Sequence, residues 1–186
     1  LALAEEAYEL SSRLEYKRGL GYSLLNMGYA GRTLSSYVEY LPKLVEAMEI
    51  FKLIEDSEGL MRVYNLMGIS YFYFAKYEQA LGLFKKGLGL SYDLQDTKLQ
   101  SSILNNIGEI HRELENYDDA MEYYTKALSI SEEIGDNINI SVILMNLGHI
   151  HNCMKNYSEA LDYYNKSIAI SEEIKDFVSK GEALCK

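Results

Sequence analysis

The chain has 186 residues, 48% of them hydrophobic and 25% charged, which is enough to bury a substantial core and excludes a disordered chain. A formal net charge of -10 argues against a nucleic-acid surface, which needs clustered Lys and Arg, and fits a molecule kept soluble by its own charge. No apolar run approaches the roughly 20 residues of a membrane span, and the opening LALAEEAYEL lacks the basic segment of a signal peptide, so a cytoplasmic location is expected.

Self-similarity sets the register. Gly28, Gly68, Gly108 and Gly148 recur every forty residues. In blocks numbered from residues 21, 61, 101 and 141, this glycine is position 8. Position 17 is Tyr37, Tyr77, Tyr117 and Tyr157; position 34 is Ile54, Leu94, Ile134 and Ile174; position 36 is Asp56, Asp96, Asp136 and Asp176. A fixed period of this length indicates an array of stacked helical units, each too short to bury its apolar face alone.

In chain order, residues 1–20 fit the second helix of a preceding block, with Ala4, Ala7, Leu10 and Leu14 in the packing columns. The block at 21–60 is degenerate. It has Gly31 and Tyr40 in unusual columns, and Pro42 inside its second helix predicts a late start or a kink, because proline lacks a donor and clashes with the preceding turn. The block at 61–100 carries Gly82, Gly87 and Gly89 in its second helix, each costing about 0.5–1 kcal/mol relative to alanine. Only Gly87 falls at a small packing position.

The block at 101–140 shows the pattern most clearly. Helix A follows Asp96, a residue suited to capping free N–H groups at the positive end of the helix dipole. Leu104, Ile107, Gly108 and His111 share one face of it. Helix B starts near Tyr117 and should bury Ala120, Tyr124, Ala127, Ile130 and Ile134. Small residues at positions 8 and 20 let the two backbones approach, and large ones at 7, 24 and 34 fill the remaining space. The block at 141–180 repeats this arrangement. DFVSKGEALCK, from Asp176, is expected to open another helix A, with residues 181–186 starting a further block. A chain that starts and stops inside a repeat, without an initiator Met, reads as an excerpt from a longer array.

These residues resemble the tetratricopeptide repeat family. The family pattern is met by Leu104, Ile107-Gly108, His111, Ala120, Tyr124 and Ala127, and again by Leu144, Leu147-Gly148, His151, Ala160, Tyr164 and Ser167. Forty residues exceed the usual repeat length, as in the long-helix subclass of spindle-orientation adaptors, kinesin light chains and Rap-type bacterial regulators. The resemblance implies an all-α fold, a right-handed superhelical solenoid of antiparallel helix pairs. It also implies that the second face of each helix A lines a concave groove.

On that face, Asn26, Asn106 and Asn146 hold position 6, and Asn65 and Asn105 lie beside it at position 5. An amide both donates and accepts, so such a ladder can hold the backbone of an extended peptide, as it commonly does in the family, or can bond a neighbouring helix. Specificity would come from Arg62, Tyr29, Glu109, His149, Phe72, Arg112 and Tyr73, together with Arg32. Arg62 and Arg112 suit a carboxylate, although Arg112 also lies within reach of Glu109 on its own helix. The lysine clamp of chaperone-binding members is absent, since position 5 holds Leu25, Asn65, Asn105 and Met145.

Catalytic and metal readings fare worse. His111 and His151 occupy a column that is normally a packed aromatic, and the acidic pairs Glu132, Glu133 and Glu172, Glu173 have no partner base. Cys153 and Cys185 are the only cysteines, with no CxxC spacing, so no disulfide, zinc site or other cofactor is expected. The expected protein is not an enzyme but a protein-interaction module that binds a peptide or partner helix. The alternatives are a sensory region of a larger bacterial signalling protein and a scaffold self-associating through its repeat ends.

Overall fold

The computed structural model describes the backbone of residues 1–30 and 34–184, and the side chains of residues 1–30 and 38–175. Gly31, Arg32, Cys185 and the side chains of Tyr37 and Asp176 therefore lie outside the described residues. Within them every regular element is a helix: α1 (Ala2–Arg13), α2 (Lys17–Ala30), α3 (Leu34–Leu53), α4 (Ser57–Tyr73), α5 (Tyr77–Asp93), α6 (Thr97–Glu113), α7 (Tyr117–Ile134), α8 (Asn137–Cys153) and α9 (Tyr157–Leu184). They group into two compact units, Leu1–Gln95 and Asp96–Lys186.

The aspartate column starts the A helices for the expected reason. Asp56, Asp96 and Asp136 accept hydrogen bonds from the backbone N–H groups of Gly59 (2.9 Å), Leu99 (2.9 Å) and Asn139 (3.3 Å). A cation from the preceding helical hairpin reinforces two of these caps: Arg18 meets Asp56 at 2.9 Å, and Lys98 meets Asp136 at 3.3 Å. Each helix then turns back sharply. Gly135 ends α7 in the left-handed region at φ 68°, where glycine carries no Cβ penalty.

In the second unit, α6 packs on α7, α8 on α9, and α8 also touches α7 and α6. Glycine at position 8 lies under the ring at position 24. A Cβ on Gly108 would sit 2.7 Å from Tyr124, and one on Gly148 2.6 Å from Tyr164. In the first unit, Gly68 faces Phe84 and Gly28 faces Leu44 in the same way. Leu24, Leu25, Leu44, Ala47, Phe51, Val63, Leu66 and Met67 form the core there.

The structure buries more of helix A than one amphipathic stripe. Ile103, Ile110, Ile143 and Ile150 are fully buried besides the expected face. The cause is stacking: α8 touches its own partner α9 and also α6 and α7, so its buried arc is wider.

Helix B is less buried than its pattern predicts. Ala120, Tyr124 and Ala127 are fully buried, but Ile134 is 38% exposed and Leu94 is 42% exposed, because position 34 falls at the end of the helix. Position 31 is buried instead, and it is filled in two ways. Phe51 fills it in α3, where a Cβ on Gly21 or Gly59 would come within 2.8 or 2.3 Å of the ring, and buried Ser91 fills it in α5. Ser131 fills it in the second unit, bonded to Ser101 at 2.6 Å, with Asn139 donating to both hydroxyls at 2.8 and 2.9 Å.

Two local expectations need correction. Of the late start or kink expected from Pro42, the late start does not occur: α3 begins at Leu34 and contains Pro42. The carbonyl that Pro42 cannot bond belongs to Val38, which is 62% exposed, so water can replace the missing donor. Nor does a new helix A open at Asp176, because α9 runs unbroken to Leu184. A break sacrifices backbone hydrogen bonds that packing of the next helix would offset, and among the described helices α9 packs on α8 alone.

Gly82 and Gly89 are exposed, with nothing within 4 Å of a Cβ at either position. Each replacement by alanine should stabilise the protein by about 0.5–1 kcal/mol, read as a higher urea midpoint. An unchanged or lower midpoint would show that these glycines serve a contact made only with a partner.

Candidate functional site

The A helices of each unit lie directly beside one another, α2 against α4 and α6 against α8. This contact makes a two-helix face from residues scattered in the sequence. In the second unit its centre is an amide pair: Asn146 Nδ2 donates to Asn105 Oδ1 at 3.0 Å, and both side chains are buried. Asn106 is half-buried one residue further along α6. On α8, Val142, Met145 and His149 are exposed at helical spacing, with Asn152 beyond them.

The charged residues of this face are already engaged. Arg112 Nη2 bonds Glu109 Oε2 at 2.8 Å and meets Glu113 Oε1 at 2.7 Å. The other oxygen of Glu109 accepts from the Tyr124 hydroxyl at 2.9 Å. Burial and the nearby Glu109 carboxylate push the Tyr124 phenol far above its ordinary range, so it stays protonated and donates. Burial works against the Arg112 cation, but the bond and charge of Glu109 outweigh it and hold its pKa above the ordinary value. Arg112 is thus a fixed strut between two carboxylates. His149 sits edge-on to Tyr164 at 5.6 Å.

The first unit offers a more aromatic face. Asn26 is exposed, Tyr29 is 42% exposed, and Asn65 is buried. Arg62 bonds Glu58 one turn earlier at 3.1 and 3.2 Å. Tyr22 points its hydroxyl to Asp56 at 3.4 Å. At the end of α4, Phe72 packs edge-on to Tyr73 at 5.7 Å and tilts against Tyr77 at 5.9 Å, and Tyr73 itself is 56% exposed.

Of the groove residues singled out in the sequence, Arg32 lies outside the described residues, and Asn105, Asn106, Glu109, Arg112, Asn146 and His149 lie on α6 and α8. Asn26, Tyr29, Arg62, Asn65, Phe72 and Tyr73 come together on α2 and α4. Sequence reasoning placed Met145 at position 5 of this face but did not name Val142 at position 2. Their spacing of three, continued by His149 four residues on, was the available signal.

His111 and His151 stack on Tyr123 and Tyr163, each at 5.2 Å between ring centroids. Among the described residues no group of three His, Cys, Asp or Glu side chains is placed to hold a metal ion. Glu132, Glu133, Glu172 and Glu173 are exposed, as is Cys153. No helix of the described residues is long and apolar enough to cross a membrane.

The sequence profile of the tetratricopeptide repeat matches residues 99–173. No curated protein matches the sequence. Among solved structures, the chain is similar to aspartyl phosphate phosphatase F from Bacillus subtilis (18% identity, TM-score 0.76), covering 96% of this chain and 51% of that one. It is similar to a signal transduction ATPase from Pyrococcus horikoshii with a tetratricopeptide repeat sensor (21% identity, TM-score 0.77), covering 97% of this chain and 29% of that one. It is also similar to the Rap conjugation gene regulator of plasmid pLS20, solved with the Phr* peptide (19% identity, TM-score 0.72), covering 85% of this chain and 44% of that one. The chain thus spans about half or less of each of these proteins. With paired helices, glycine under the rings of Phe84, Tyr124 and Tyr164, and aspartate caps on α4, α6 and α8, it has the tetratricopeptide repeat fold, and residues 99–173 carry the family's own sequence signature.

Proposed function

We propose that the chain is a protein-interaction module, not an enzyme, and that it holds an extended peptide or a partner helix against its A helices. One observation carries the reading: α6 and α8 lie side by side, so that half-buried Asn106 and exposed Val142, Met145, His149 and Asn152 share one face. Such a face combines an amide, apolar contacts and an imidazole, which suits a peptide backbone with mixed side chains. The Phr* peptide complex of the pLS20 regulator supports the choice of ligand class.

The intrahelical ion pairs shape what this face would select. Because Arg112 is held by Glu109 and Glu113, it has little charge left for an anionic ligand. Asn146 would act by fixing Asn105 and the spacing of α6 and α8, since its amide is already bonded. Asn106 and His149 are the proposed direct contacts, chosen for their place on the α6 and α8 face.

The test is retention of partners from source-cell extract by wild-type protein and by an Asn106→Ala, His149→Ala double variant, with thermal melting as the control. Both residues lie off the core, so the melting point should not move, while a partner held by the wild type should be lost. Equal retention by both proteins would remove this face from the mechanism.

A further inference from the structure

In the first unit, α3 and α5 both pack on α4 and do not touch each other, which leaves a gap with α4 as its floor. The gap forms a cleft of about 330 Å³, within the size range of small-molecule sites. Both walls belong to the chain itself, and α4, the element that joins them, is already the floor. Met48, Met67 and Leu83 supply the apolar lining, and Lys52, Tyr64, Tyr71, Gln79 and Lys86 the polar groups, with no acid among them. Lys86 lies over the Tyr64 ring and Lys76 over the Tyr71 ring, each at 5.8 Å from the centroid. Lys52 is shared with Glu49 at 2.8 Å, while Lys86 pairs with no carboxylate among the described residues.

The forty-residue register shows what sets this cleft apart. The corresponding positions of the second unit, on α7 and α9, are Glu132, Glu159 and Asp162 where this one has Lys52, Gln79 and Gly82. On α7 itself, Glu122 holds the position of Gly82 and pairs with Lys126 at 2.5 Å one turn further on. Lys86 stands at the position of Lys126, but one turn before it has glycine in place of glutamate. The first unit thus keeps the cation and drops the carboxylates, in a chain whose net charge is -10. Gly82 also leaves the space open, since nothing lies within 4 Å of a Cβ there and no packing contact calls for glycine.

We infer that this cleft binds a small organic acid with a flat apolar body. Lys86 and Lys52 meet its carboxylate, and charge-assisted hydrogen bonds of this kind are the stronger ones. The Tyr64 and Tyr71 rings and the adaptable thioethers of Met48 and Met67 take up the flat body. The volume suits one small molecule and not an extended segment. The site is separate from the α6 and α8 face, and its ligand is of another class.

Naphthylacetate and its neutral amide test this on the whole protein, followed through the NMR signals of the Met48 and Met67 methyl groups. Saturating shifts at both methyls are expected with the acid, which should bind at least about tenfold tighter than the amide. Gly82→Glu restores the carboxylate found at Glu122 and Asp162 and should weaken the acid at least about tenfold, whereas Gly82→Gln, of the same size without the charge, should weaken it far less. Both variants replace an exposed helical glycine, so circular dichroism and melting should hold. Unmoved methyl signals, equal affinity for acid and amide, or equal loss in the two variants would overturn the inference. So would a preference for a glutamate-rich peptide over the acid, which would make the cleft a protein contact.

Discussion

Tyr124→Ala is expected to cost about 3–5 kcal/mol of folding stability, read from urea unfolding followed by circular dichroism. The ring is fully buried and rests on Gly108, so its removal leaves a cavity that a glycine opposite cannot fill. It also removes the donor to Glu109 Oε1, leaving that carboxylate to Arg112. Tyr124→Phe separates the two contributions, since it keeps the ring and loses only the hydrogen bond; its cost should be about 0.5–1.5 kcal/mol. A loss below about 1 kcal/mol for Tyr124→Ala would mean that the glycine and ring columns do not form the joint between helices.

Leu147→Ala should be nearly as damaging, at about 2–5 kcal/mol, because Leu147 is 3% exposed on α8, which touches α6, α7 and α9. Ile134→Ala supplies the contrast. The repeat pattern puts Ile134 in the buried stripe, yet it is 38% exposed at the end of α7, and part of its surface is in water already. Its replacement should therefore cost clearly less than that of Leu147. Equal losses would mean that the tip of α7 is as tightly covered as Leu147.

The comparison of these two positions shows how far pattern reading reaches. Both belong to repeating apolar columns, and nothing in the one-dimensional pattern separates them. What separates them is distance from the helix end, where the neighbouring helices diverge into turns. The same limit applies to Asn106 and Asn146. They share position 6, but Asn146 reaches across to Asn105 of α6 while Asn106 stays half-buried. A column of identical residues thus divides into one buried amide that ties two helices together and one that is only half-buried.

Arg112 illustrates the same point for charge. Its spacing from Glu109 allowed both an ion pair on its own helix and a ligand contact, and the geometry places it between Glu109 and Glu113. The Val142, Met145 and His149 stripe was readable in principle from spacing alone. Met145 and His149 were placed on this face from the repeat register, and Val142 follows from the same register at position 2.

As far as the start of α9, the sequence by itself determined the helices and their order. Aspartate caps, tyrosine starts, glycine under large residues and the forty-residue period are local or near-local signals, and they act through backbone hydrogen bonding and the packing of one hairpin. Only the tertiary structure decided which side of each helix is covered. Burial depends on how many neighbours a helix has: among the described helices α8 packs against three and buries a wide arc, while α1 packs against one and keeps Leu3, Leu10 and Leu14 exposed. That count of neighbours is a property of the stack, and no single repeat encodes it.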